Sequence, residues 1–148
     1  MIAKMVGLIF GGLVLVFLAI QLVPVERTNL PVTAEIQAPS DVSSILRRSC
    51  YDCHSNETKW PWYSRVAPVS WLLERDVREG RRELNFSQWR TLAPARKAKK
   101  VKESLTEIEN GDMPPWYYLP MHPDAKLTGK DKAVLGSWLK AQMVPPPR

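Results

Sequence analysis

The run Cys50-Tyr51-Asp52-Cys53-His54 holds both cysteines and one of the two histidines of this 148-residue chain. Two thiols three residues apart, followed at once by an imidazole, make a C-x-x-C-H pattern, which reads as attachment of a c-type haem. The spacing has a chemical basis. Each thiol adds to one vinyl group of a porphyrin and makes a thioether. Helical spacing of three puts both sulfurs on one side of the segment. His54 can then turn its imidazole under the ring and bind iron from the proximal side. The expected cofactor is one covalently attached haem c per chain.

Three other readings compete. A thioredoxin-like redox pair expects a βαβ context, and the sequence offers none. A structural zinc site wants four ligands. The candidates would be the two cysteines with His54 and His122, and adjacent Cys53 and His54 are an awkward pair. A simple disulfide in an oxidising compartment is the third.

For the other axial position Met113 is the choice. It follows a helix stop at Gly111 and precedes Pro114-Pro115, which forbid helix and favour extended backbone. A thioether is a soft, neutral ligand, and Met/His ligation raises the haem potential. Packing beside Trp116 is the plain alternative. Met121 and His122, in the loop between Pro120 and Pro123, are rivals, and an open sixth site is another. Met143 sits in the Pro-rich tail and is set aside.

Outward from the motif the pattern is helical. Asp41 to Cys50 has Val42, Ile45, Leu46 and Ser49 on one side, with Ser40 or Asp41 as cap. Ser55 to Pro68 is irregular and aromatic, with Trp60, Trp62 and Tyr63. Any of these, or Arg65, is a candidate donor to a haem propionate. A second helix spans Val69 to Glu79, presents Trp71, Leu72, Arg75 and Val77, and stops near Gly80. A short turn falls in Asn85 to Leu92. Ala95 to Asn110 is the longest helix after the N-terminal run, with Val101, Leu105 and Ile108 at i, i+4, i+7 and Gly111 as stop. Thr128 to Ala141 is the last. Thr128 and Asp131 make a capping-box-like pair, and Ala133, Val134, Trp138 and Leu139 form its apolar face.

Met5 to Val23 is apolar, with Gln21 its one strongly polar residue. At ~1.5 Å per residue it spans ~29 Å, about one hydrocarbon thickness. A cleaved signal peptide would have a shorter apolar region and a small-x-small site, and Ala19-Ile20-Gln21 is a poor one. An uncleaved anchor is preferred. Lys4 gives a weak positive-inside signal, so the remaining chain is expected outside the cytoplasm. The organisation is then an anchor at 1–23, a Pro-containing linker at 24–40, a haem domain at 41–142 and a Pro-rich tail at 143–148.

The net charge is +6. Lys4 is the only charged side chain before Glu26, so residues 24–148 carry 6 − 1 = +5. Arg96, Lys97, Lys99, Lys100 and Lys102 concentrate it on the solvent side of the long helix. Such a surface favours anionic partners: an acidic redox protein or anionic lipid, with nucleic acid set aside outside the cytoplasm. Two cysteines exclude a multi-bridge disulfide framework, and 13 prolines argue against an all-β fold.

The chain resembles the bacterial haem-binding domain family, single-haem proteins of cytochrome-c-like type. The resemblance covers nearly everything after the apolar run. It lies in Arg27-Thr28-Asn29 with Pro31-Val32, in Cys50 to Asn56, in Trp60-Pro61-Trp62-Tyr63-Ser64 and in Ala67-Pro68-Val69-Ser70-Trp71. It continues in Gly111-Asp112-Met113-Pro114-Pro115 and His122-Pro123-Asp124-Ala125. The tryptophan-rich stretch is the most specific sign. Leu30-Pro31 stands where the family often has two prolines. The resemblance implies haem carried by Cys50, Cys53 and His54, with Met113 as distal ligand.

The expected fold is all-α: a cytochrome-c-like helical domain with long loops, preceded by one N-terminal transmembrane helix. The helix entering Cys50 is expected to pack on the last helix near Trp138. The expected function is one-electron transfer by a single-pass protein of the inner membrane, its haem in the periplasm. The alternative is a haem-based gas or peroxide sensor, or a weak peroxidase with a labile distal ligand. A third is an anchored assembly subunit with a structural haem. No acid, base or nucleophile cluster marks an enzyme.

Overall fold

The computed structural model describes residues 2–143, and the tail beyond Met143 lies outside the described residues. All regular structure among them is helical. α1 is Ile2–Ile20, α2 Ser40–Ser49, α3 Tyr51–His54, α4 Val69–Glu83, α5 Pro94–Asn110 and α6 Gly129–Gln142. Three 3-10 turns, Trp62–Arg65, Phe86–Thr91 and Pro123–Ala125, punctuate the loops.

α1 buries none of its side chains, has a mean hydropathy of 2.4 and is long enough to cross a membrane. It begins earlier than the apolar run suggested and gives way after Ile20 to tighter turns, with Gln21 and Leu22 donating to Leu18 and Ala19.

α2 buries Val42, Ile45, Leu46 and Ser49, the four residues spaced for one face. Neither Ser40 nor Asp41 is its N-cap. Pro39 holds that place, and the Asp41 carboxylate accepts from the neighbouring Val42 amide. α2 packs on α6, and Trp138 lies half-buried against the shared core. The centre of the α6 face is Leu135, fully buried, with Leu139 beside it, while Ala133 is exposed. The face is thus turned from the expected one. Leu135→Ala would cost about 2–5 kcal/mol. The Thr128–Asp131 capping box forms, with reciprocal bonds of 3.1 and 2.8 Å. α5 buries Val101 and Ile108 and ends on Gly111 at φ 82°, the left-handed cap that glycine adopts freely.

α4 runs past Gly80 to Glu83. Its buried residues are Ser70 and Val77, and Trp71 and Arg75 face outward. Gly80 is not a stop. A Cβ there would lie 2.5 Å from the Cys53 carbonyl oxygen, so glycine lets α4 touch the backbone of α3.

Residues 24–39 of the linker lie without regular structure along the domain and are bonded into it, and Ser40 already belongs to α2. Ala34 and Ile36 are buried. Their amides donate to Ser87 and Phe86 carbonyls, and Arg90 donates back to Ala34. The basic stretch of α5 is mostly solvated, but Lys100 is not. Its ammonium is largely covered and bridges Glu83 of α4 and Glu103 at 3.2 and 2.8 Å.

Candidate functional site

Cys50 breaks the helix. At φ −131° it ends α2 and starts α3, so the motif forms a separate turn, closed by Cys53 and His54 amides on the Cys50 carbonyl. Tyr51 points into the core and stacks on Phe86, with centroids 5.3 Å apart. The two sulfurs are not bonded to each other. Burial, foremost, pushes both thiols up to about 12, so they stand as protonated thiols. Among the described residues no three His, Cys, Asp or Glu side chains converge as zinc would require.

His54 is the most constrained side chain of the motif. Its Nδ1 lies 3.0 Å from the Gly80 carbonyl and 3.0 Å from the Leu84 carbonyl. Both partners only accept, so Nδ1 carries the proton and Nε2 keeps its lone pair. These carbonyls lie at the C-terminal end of α4, where the helix carries partial negative charge; Gly80 also accepts from the amide of Leu84, the residue that caps the helix. Desolvation holds the imidazole below its ordinary pKa despite those bonds, with Lys100 adding to the depression. The ring is therefore neutral, as a metal ligand must be.

The loop after His54 is locked by groups distant in sequence. Arg81 donates to the Ser55 carbonyl (2.8 Å), the Thr28 carbonyl (2.9 Å), Asn29 Oδ1 (2.8 Å) and Thr58 Oγ1 (2.9 Å). Asn56, almost fully buried, donates through its amide to Ser87 Oγ and through Nδ2 to the Pro31 carbonyl, and accepts from Asn85. From the sequence Gly80 is taken only as a helix stop, and Arg81 and Ser87 are passed over. A glycine inside a helical pattern was the signal for the first. Nothing local marked the other two.

Met113 sits in a loop whose residues 116–121 fold as successive turns in place of the extended backbone expected after Pro114-Pro115. Its side chain is 38% exposed, and its amide shares the Glu107 carbonyl with Gly111 and Asp112. Tyrosines tie this loop to the motif side. Tyr118 donates to Asp52 Oδ2 at 2.7 Å and Tyr117 to Asp76 Oδ2 at 3.1 Å. Burial, aided by Asp52, keeps the Tyr118 phenol protonated well past its usual range. Met121 is exposed. His122 stacks on Tyr118 with centroids 3.9 Å apart. Its Nδ1 donates to the Tyr118 carbonyl (3.2 Å), and the Tyr63 hydroxyl lies 3.2 Å from Nε2 and 3.3 Å from Nδ1, with Nε2 left as the ring's acceptor for it. Both ring nitrogens are thus engaged.

The family model of the haem-binding domain matches residues 15–141. The chain belongs to the haem-binding domain family. No curated protein and no solved structure matches it. The residues present fit the cofactor of a haem-binding domain. An Nε2 lone pair on a neutral imidazole with its other nitrogen fixed is the donor haem iron takes. The Trp60 indole N–H is buried without a partner among the described residues.

Proposed function

We propose that this haem-binding protein is a membrane-anchored c-type cytochrome that passes single electrons on the extracytoplasmic side and is not an enzyme. The observation that carries the reading is His54: its Nδ1 proton is committed to the Gly80 and Leu84 carbonyls at the end of α4, and its Nε2 has no hydrogen-bond partner among the described residues, directly after two free thiols. In this reading Cys50 and Cys53 form the thioethers, and His54 and Met113 are the axial ligands of one haem c. Bound haem supplies the one-electron ferrous/ferric couple. The chain's part is to fix the imidazole tautomer, exclude water from Nε2 and bring a thioether loop alongside through Tyr117 and Tyr118. The engagement of both His122 nitrogens supports Met113 over His122. Arg96, Lys97 and Lys102, without ion pairs among the described residues, suit an acidic redox partner. The apolar α1 supports an anchor in the inner membrane with 41–142 as the haem domain, and a domain outside the cytoplasm would not meet nucleic acid.

Optical spectra of the protein matured with haem, oxidised and reduced, test this. Expected are a covalent c-type spectrum and the weak far-red band of methionine-ligated ferric haem, lost in Met113→Ala. A covalent haem whose spectrum ignores the substitution would remove Met113. The exposure of Met113 favours one second reading, a sensor or weak peroxidase whose distal ligand yields to oxygen, nitric oxide or peroxide. A five-coordinate high-spin spectrum in the wild type would select it.

A further inference from the structure

Gln21, the polar residue at the end of the apolar run, is bonded to the haem domain. Its side-chain amide donates to the Ala67 carbonyl (3.2 Å) and to the Phe17 carbonyl (2.9 Å), and accepts from the Ala67 amide (2.9 Å). The last turn of α1 is thereby fastened to the loop between the Trp62–Arg65 turn and α4. If α1 spans a bilayer, its end lies at the headgroup level, and this loop must lie there too. Trp62, Val69 and Trp71 flank the joint and are exposed by 73%, 42% and 37%, and amphipathic aromatics favour that level of a membrane.

A recess of about 140 Å³ opens at the joint, lined by Gln21, Pro24, Arg27, Arg65, Ala67 and Ser70. Two arginines line it and no acidic residue does. Arg27 is positioned by one bond to the Ser64 carbonyl (3.1 Å), and Glu26 is engaged by Thr28 (3.0 Å). Arg65 has no hydrogen bond or ion pair among the described residues. Guanidinium forks match phosphate oxygens.

We propose that this recess holds the phosphate of an anionic lipid headgroup between Arg27 and Arg65, seating the haem domain on the membrane through the 62–71 segment. The inference rests on α1 remaining in the bilayer. The domain then has one resting orientation on the lipid, set by the Gln21–Ala67 joint and the headgroup.

The test takes the full haem-loaded chain in phosphatidylcholine nanodiscs containing a minority of phosphatidylglycerol and counts retained lipids by native mass spectrometry. One phosphatidylglycerol per chain is expected, enriched over its share. Retention should fall roughly fivefold in Arg65→Gln and further in Arg27→Gln/Arg65→Gln. Arg65 is exposed and has no side-chain partner among the described residues, so Arg65→Gln with an unchanged haem spectrum and melting temperature is a fair variant; a shifted spectrum would assign Arg65 to a haem propionate and overturn the proposal. Equal retention in wild type and variants overturns the proposal. Displacement of the lipid by millimolar inorganic phosphate overturns it too, assigning the recess to a free anion. Release of the chain from membranes by alkaline carbonate would sink the anchor reading itself, a result distinct from a chain that stays inserted and retains no lipid.

Discussion

The two loops proposed to face the haem are held by different means. Behind His54 the support is backbone: carbonyls of Gly80 and Leu84 on the imidazole, a glycine contact too close for a side chain, and the Arg81 guanidinium on two more carbonyls. Around Met113 the support is side-chain: two tyrosine hydroxyls on two carboxylates, and a histidine stacked on one of those rings. Backbone acceptors at a helix end stay as long as the helix stays. Phenol–carboxylate bonds with one partly exposed partner can open singly. The first arrangement suits a permanent ligand and the second an adjustable one.

The strongest way to break the comparison is at the thiols. Cys50→Ser with Cys53→Ser should abolish covalent haem altogether, read as loss of haem from denatured protein. Persistence of covalent haem would refute the assignment. Next comes the haem-free chain. Thiols raised from 9.0 to about 12 should alkylate at least tenfold more slowly at pH 8 when folded than when unfolded. The sign for stability follows: the raised thiol pKa contributes below pH 9, and that contribution is lost as pH climbs towards 12. Rapid labelling of folded protein would show the motif to be open.

Gly80→Ala probes the backbone side alone. Alanine improves helix propensity by about 1 kcal/mol, but its Cβ meets the Cys53 carbonyl, and overpacking against backbone costs about 1–3 kcal/mol or more. The clash should win, lowering the melting temperature by several degrees and disturbing the haem spectrum. An unchanged melt would mean that α4 is free to slide from α3. The smallest effect belongs to the other loop. Tyr118→Phe removes one bond to a carboxylate and should cost about 1 kcal/mol. It should leave thioether attachment intact while weakening the Met113-dependent band. A larger loss of stability than Gly80→Ala causes would invert the contrast.

Local pattern carried much of the helical map. Val42, Ile45, Leu46 and Ser49 lie on one face because i, i+3, i+4, i+7 spacing leaves little choice. Gly111 and the Thr128–Asp131 pair mark ends through chemistry complete within a turn. The errors arose where tertiary contact decides. Gly80 looked like a terminator because glycine weakens a helix, and only the approach of Cys53 explains its place inside one. Leu135 replaced Ala133 because the α6 face is set by what α2 and α5 present to it. The C-x-x-C-H motif was legible whole, whereas its support was not. Arg81 reaches Thr28 across 53 residues, and the carbonyls that bind His54 have no side-chain signature.

That reach across the chain has a consequence in time. A polypeptide emerging N-terminus first presents Thr28, Asn29 and the loop of Ser55 and Thr58 well before Arg81. Until Arg81 arrives, these segments have the Asn29–Thr58 and Asn56–Pro31 bonds but lack its four, and the Gly80 and Leu84 carbonyls that hold His54 are not yet in place. The segment around Cys50 and Cys53 therefore stays pliant during synthesis and translocation, and closes late. Any group that has to be joined to those sulfurs has that interval in which to reach them.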